Sequence, residues 1–389
     1  MKLSTFNFTS GEGWSLSQFP ALDSENTVVM IFAAPEFFDA PAPIAELAAA
    51  YPQACLIGCS TSGEIAGQWV NDASISVAVA QFEHTRVASA SVDIGTAADS
   101  FGAGAALAKQ LAGDGLRSVF VLSDGLHVNG SELVKGLTSL LPQAIITGGL
   151  AGDGDRFRRT WLIDRGGVPR TGIVTAVGFY GDRLNVTHGS RGGWDVFGPE
   201  RRITRSAGNI LYELDGRPAL SLYKEYLGER ASGLPATGLL FPLSIRRHAD
   251  DHQQVVRTIL AVDEATQSMT FAGDVPQGYL AQLMRANFDR LVNGASVAAD
   301  HATALLTGSL RPGEGYAPEG PVLAVSISCV GRRLVLGERT EEETEVALEH
   351  LPAGAQQVGF YSYGEISPCT TGSCDLHNQT MTITTFSEA

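Results

Sequence analysis

The sequence predicts an α+β protein of two domains, each a mixed and largely antiparallel sheet with helices packed on it. Three observations predict it. A block of strand, helix, strand, glycine loop and two further strands recurs with a period of about 90 residues, too long for a solenoid and so a duplicated half-domain. The chain has 389 residues, more than one ordinary domain holds. Hydrophobic residues make up 44% and charged ones 18%, a balance that supports a large core and argues against long disorder.

The first block opens with TVVMIFAA (Thr27 to Ala34), an apolar, β-branched run that reads as a buried strand. Ile44, Leu47, Ala48 and Tyr51 then share a helical face that Pro52 stops. Ala54 to Ile57 leads as a strand into GCSTSGEI (Gly58 to Ile65), and Ser74 to Phe82 with Thr85 to Val92 reads as a hairpin. In the second block Ser118 to Leu122 is the strand, and Ser131 caps a helix striped by Leu133, Val134, Leu137, Leu140 and Leu141. QAIITGGLAGDG (Gln143 to Gly154) repeats the glycine loop one residue shorter, and Gly172 to Tyr180 with Arg183 to His188 reads as a second hairpin.

A third block closes the chain. Val322 to Ser328 is its first strand, and Thr340 with Glu343 reads as a capping box opening a helix to His350. GFYSYGEI (Gly359 to Ile366) and a last strand, Thr380 to Phe386, follow. Between the second and third blocks, Asn209 to Tyr226 reads as a helix interrupted at Asp215-Gly216. Leu239 to Leu243, Val255 to Val262 and Met269 to Phe271 read as strands, and Gln277 to Val292 as a helix. The pairs Gly192-Gly193 and Gly198-Pro199 put a domain boundary near residue 200, giving domains of residues 1–200 and 201–389.

The two Gly-Glu-Ile loops carry the candidate chemistry. A polar turn in an apolar β-rich domain is costly unless its groups find partners. Ser60, Thr61, Ser62, Tyr361, Ser362 and Tyr363 supply hydroxyls, and Glu64 and Glu365 supply carboxylates. His377 and Asn378 lie just before the last strand. Together these groups suit a small polar ligand such as an amine or an amino acid; the alternative is a pair of tight turns whose side chains bond their own backbone. A Ser/His hydrolase built on Ser60 or Ser362 with His377 is a further alternative. Cys369, Cys374 and His377 have C-x4-C-x2-H spacing, a weak zinc pattern. His188, on the same strand face as Leu184 and Val186, and His301, between Val297 and Leu305, are imidazoles in apolar surroundings. Such residues serve either the core or a haem iron. No G-x-S-x-G, P-loop or H-E-x-x-H motif is present.

Taken in order, GCSTSGEI, SDGLHVNG (Ser123 to Gly130), GGLAGDG, LDGRPAL (Leu214 to Leu220), SCVGRRLVLG (Ser328 to Gly337), GFYSYGEI and LHNQTMTIT resemble the FIST family. The resemblance covers nearly the whole chain, and Ser232 to Val256 is its least similar stretch. It implies a FIST N and a FIST C domain and a signal-transduction sensor for a small ligand such as an amino acid. A stand-alone bacterial branch implies haem, nitric oxide, and regulation of a separate histidine kinase or cyclic-di-GMP enzyme. His188, His248, His252, His301 and His377 are then the candidate haem ligands, and no catalytic residue is implied.

The net charge of -15 argues against nucleic acid as a partner. The clusters Arg156-Phe157-Arg158-Arg159, Arg201-Arg202 and Arg246-Arg247 read as solvated surface. No apolar run reaches the roughly 18 residues of a membrane helix, no signal peptide is seen, and five cysteines do not make a secreted disulfide framework. The expectation is a cytoplasmic protein with reduced thiols.

Overall fold

The computed structural model of the chain describes residues 1–251, 254–307, 320–368 and 374–389. It is α+β, and the repeated block is its organising element. In the first unit Thr27–Ala33 lies parallel to Cys55–Ser60 and antiparallel to Ser74–Gln81. In the second, Leu116–Ser123 lies parallel to Ile145–Leu150 and antiparallel to Ile173–Tyr180. In the third, Leu323–Cys329 lies parallel to Gln356–Ser362 and antiparallel to Met381–Glu388.

The strand pairs read as hairpins are not paired with each other. Arg86–Asp93 leaves the first unit and joins Ile173–Tyr180 of the second. Leu184–Arg191 leaves the second unit and joins Met381–Glu388 of the third. The exchange closes through the N-terminus, because Lys2–Thr9 joins Ser74–Gln81 of the first unit. The Met1 ammonium lies 3.2 Å from Glu388, so the two ends of the chain meet where the third unit's last strand would otherwise continue. The physical reason for the exchange is the core. Phe32, Phe120, Val177, Phe179, Ile327, Phe360 and Phe386 line the inner faces of the three sheets and pack on one another, and handed-over strands keep those faces together. Helices cover the outer faces: Ala42–Ala50 on the first sheet, Ser100–Leu111 and Gly130–Leu140 on the second, and Phe288–Thr307 with Thr340–His350 on the third.

A wholly antiparallel eight-stranded sheet is inserted between the second and third units. Its long strand Trp194–Ala207 runs through residue 200, where the glycine pairs had placed a boundary. Two segments read as helix are strands here. Ile210–Leu214 ends at a turn in which Asp215 and Gly216 both have positive φ, and the helix starts only at Ala219. Leu280–Ala286 pairs with two strands, Trp194–Ala207 and Leu243–Arg246. Its helix-like spacing arises because both faces are covered: Leu283 enters the sheet's core with helix Ala219–Leu227, and Met284 packs on the other side with Trp194 and Leu291.

Two helix starts also differ from expectation. Asn129, not Ser131, caps Gly130–Leu140, its Oδ1 accepting from the Glu132 N–H at 3.2 Å. Thr340 and Glu343 form no capping box. Glu343 turns inward, where Ser328 and Tyr361 donate to one oxygen at 2.7 and 2.8 Å and Arg332 donates to the other.

Candidate functional site

Each glycine loop follows the second parallel strand of its unit, and the strand after the loop crosses to a neighbouring sheet. Glu64–Ala66 pairs with Gln356–Ser362, Gly364–Pro368 with Ile145–Leu150, and Leu162–Ile163 with Cys55–Ser60. The three loops therefore meet at one pole, beyond the carboxyl ends of the parallel strands. Three equivalent hydrogen bonds lock them in a ring: Ser62 N–H to Tyr361 O at 2.8 Å, Gly152 N–H to Ser60 O at 3.0 Å, and Tyr363 N–H to Leu150 O at 3.2 Å. Glycine is needed at the matching positions 58, 148 and 359, where a Cβ would overlap the carbonyl oxygen of Ile31, Val121 or Ser326 on the adjoining strand.

The ring brings together most of the residues singled out from the sequence and buries them. Ser60, Thr61, Ser62, Glu64, Tyr361, Ser362, Tyr363, Glu365 and Asn378 are all buried. Glu64 accepts from the hydroxyls of Thr61 and Ser74 and from the Ser74 N–H. Glu365 repeats this with Ser362 and Thr380. Burial pushes both carboxyls up to about 8, against the opposing pull of these donors. Tyr363 donates to Asp153 and stacks on Phe157 with centroids 4.5 Å apart, while Tyr361 donates to Glu343.

The groups of a Ser/His pairing are engaged elsewhere. Ser60 Oγ accepts from the Trp161 N–H at 3.0 Å, Ser362 donates to Glu365, and His377 Nε2 bonds the Ser367 carbonyl at 2.9 Å. Asn378 Oδ1 accepts from the Thr258 N–H at 3.3 Å. Burial lowers the pKa of His188, and the neighbouring His377 lowers it further; burial lowers that of His377 as well. His301 is half-buried on the helix Phe288–Thr307 and His248 is exposed after the strand Leu243–Arg246. His252 and Cys369 lie outside the described residues. No group of three or more metal-ligating side chains occurs among the described residues.

Two clefts open beside the ring. One, of about 520 Å³, lies between Pro35, Glu36 and Asp39 of the first unit and Asp153, Arg156, Arg158 and Arg159 of the second. Arg156 binds Glu36 and Arg159 binds Asp39 across it. The other, of about 510 Å³, lies between Ser62 and Val70 of the first unit and Arg333, Glu338 and Glu341 of the third, with Asp155 at its wall. The Arg333 guanidinium crosses it to Ser62 O at 2.6 Å and to the exposed carboxylate of Asp72 at 2.8 and 2.7 Å. Arg333, Glu338, Glu341, Asp155 and Asp72 were not singled out from the sequence. The one signal for them is the charged doublet Arg332-Arg333 inside the apolar VGRRLVL, where a buried cation demands a partner.

No curated protein sequence matches the chain significantly. Residues 27–217 match the FIST N domain and residues 219–368 the FIST C domain. No described helix is long and apolar enough to cross a membrane. With both domains present in order and covering most of its length, the chain belongs to the FIST family, whose domains are associated with signal transduction and the sensing of small ligands.

Proposed function

We propose that the chain is a cytoplasmic sensor that takes a small amine-bearing ligand, amino-acid-like in character, in the cleft between Ser62 and Arg333. The observation that supports this reading is the cleft's charge. Asp155, Glu338 and Glu341 stand in its wall against the single guanidinium of Arg333, an excess of negative charge that favours an ammonium group. A ligand carboxylate would compete with Asp72 for the Arg333 fork, since Asp72 is mostly solvent-exposed. The position fits the general rule that ligands bind outside the carboxyl ends of parallel strands. The cleft joins the first and third units, so a ligand preferring one spacing of Ser62 and Arg333 biases the surface around it. A separate histidine kinase or cyclic-di-GMP enzyme is the partner this reading expects.

Calorimetric titration with the standard amino acids and simple amines tests it. Saturable binding is expected, weakened about tenfold or more by Glu341→Gln and, for a ligand that also carries a carboxylate, by Arg333→Ala. No saturable binding by any member of the panel overturns it. Haem with nitric oxide is the rival ligand. None of the clefts described above has a histidine in its wall, and His377 Nε2 already bonds a carbonyl, so this arrangement does not fit a haem pocket. A Soret band in haem-reconstituted protein that moves with nitric oxide would reverse that preference.

A further inference from the structure

A third cavity, of about 540 Å³, lies where the inserted sheet meets the helix Phe288–Thr307, beside the Arg191 end of the strand Leu184–Arg191. Arg191, Arg290, Gln254 and Asn293 supply its polar wall, and Trp194 and Met284 its apolar one. No acid stands among the described residues of that wall, although the chain as a whole carries a net charge of -15. Asp195 at the rim binds Arg290. Arg191 has no carboxylate partner among the described residues, and its side-chain stem lies over Gly294.

The backbone beneath is built for close approach. A Cβ on Gly193 would overlap the Arg290 carbonyl, and one on Gly294 would overlap the Gly192 carbonyl, so the Gly192-Gly193 turn rests directly on the helix. The buried Arg332 holds that turn from behind, donating to Gly192 O at 2.9 Å and to Leu291 O at 2.7 Å. Two guanidiniums are thereby carried on a rigid seam between the inserted sheet and the third unit.

We propose that this seam is a second ligand site, for a small organic anion bearing a phosphate or carboxylate group next to a compact apolar portion. The two arginine forks take the oxyanion, Gln254 and Asn293 add neutral donors, and Trp194 and Met284 receive the apolar part. An anion there ties the inserted sheet to the ring, which makes the seam a place where occupancy changes how the two bodies are held. The site is independent of the amine cleft, and the failure of either leaves the other standing.

The test is calorimetric titration of the full chain with phenyl phosphate and, separately, with phenylacetate at low ionic strength. Saturable binding of at least one of them is expected; which one binds tighter identifies the head group. Arg191→Ala and Arg290→Ala should each weaken it about tenfold or more, with Arg191→Lys, which keeps the charge but loses the fork, in between. Arg158→Ala, at the pole, should leave it unchanged. Circular dichroism and melting of each variant separate lost binding from lost folding. Absence of saturable binding of both anions to the native chain overturns the proposal, as does equal weakening by Arg158→Ala, which would mean general surface attraction.

Discussion

Leu162 occupies in the second unit the place that Glu64 occupies in the first. Each opens the strand after its glycine loop, Leu162 opposite Cys59 and Glu64 opposite Phe360 at matching registers of neighbouring sheets. The surroundings change with it. Thr61 and Ser74, which donate to Glu64, correspond to Ala151 and Ile173, whereas Ser362 and Thr380 preserve the polar set around Glu365. A buried acid and its donors are thus exchanged as a group, because a partial exchange leaves unpaired polar atoms.

That equivalence has a measurable consequence. Glu64→Leu alone strands the hydroxyls of Thr61 and Ser74, and should cost roughly 2–4 kcal/mol in urea unfolding. Adding Thr61→Ala and Ser74→Val should recover at least about 1 kcal/mol, a non-additive result. A triple variant that is worse by the sum of its parts would show the three positions to be energetically separate.

The same acids set a pH dependence. Both carboxyls sit near 8 in the folded protein, above the ordinary carboxyl value of 4.5. The folded state therefore holds more protons than the unfolded one between these values, and stability falls as pH rises through that window. The contribution of each acid is complete below about 4.5 and lost above about 8, a change on the order of a few kcal/mol. Glu64→Gln with Glu365→Gln, which keeps neutral amides in the acids' places, should flatten the profile from pH 5 to 8. An unchanged slope in the double variant would contradict the assignment.

Arg332 and Glu343 are wholly buried and joined at 2.6 Å. Arg332→Met leaves Glu343 with only Ser328 and Tyr361 as donors, and Glu343→Gln weakens the charge that the guanidinium needs. Chemical denaturation should show Arg332→Met destabilised by about 3–5 kcal/mol. Arg332→Met with Glu343→Leu should be less destabilised than Arg332→Met alone, since no uncompensated charge remains.

Because Met1 meets Glu388, the chain can be opened elsewhere. Joining Ala389 to Met1 through a short glycine-serine linker and starting the chain at the exposed Gly11 should give a folded protein with a melting temperature within a few degrees of the native one. Deleting residues 1–9 should instead expose the edge of Ser74–Gln81 and cause self-association, seen by light scattering.

Much of the repeat could be read from residue patterns. The apolar runs at Thr27, Ser118 and Val322 are strands, the stripes at Ile44 and Leu133 are helix faces, and the three glycine loops are equivalent. The inserted sheet was less legible. Leu280–Ala286 is covered on both faces, which erases the alternation that marks a half-exposed strand. Asp215 and Gly216 were recognisable as a turn, but nothing local told a strand before it from a helix. The hydroxyls and carboxylates of GCSTSGEI and GFYSYGEI were visible as a polar group, yet not that they would bond one another inside the core.

The residue pattern by itself determined the α+β class and the repetition of one block, since local periodicity and glycine spacing are properties of neighbouring residues, and its ordered motifs carried the resemblance to the FIST family. Only the tertiary structure decided where each strand pairs, that Lys2–Thr9 completes the ring begun at the other end of the chain, and which charges face open clefts. Pairing and exposure depend on contacts between segments far apart in the chain. Burying three apolar sheet faces against one another selects those contacts, and no local signal records them.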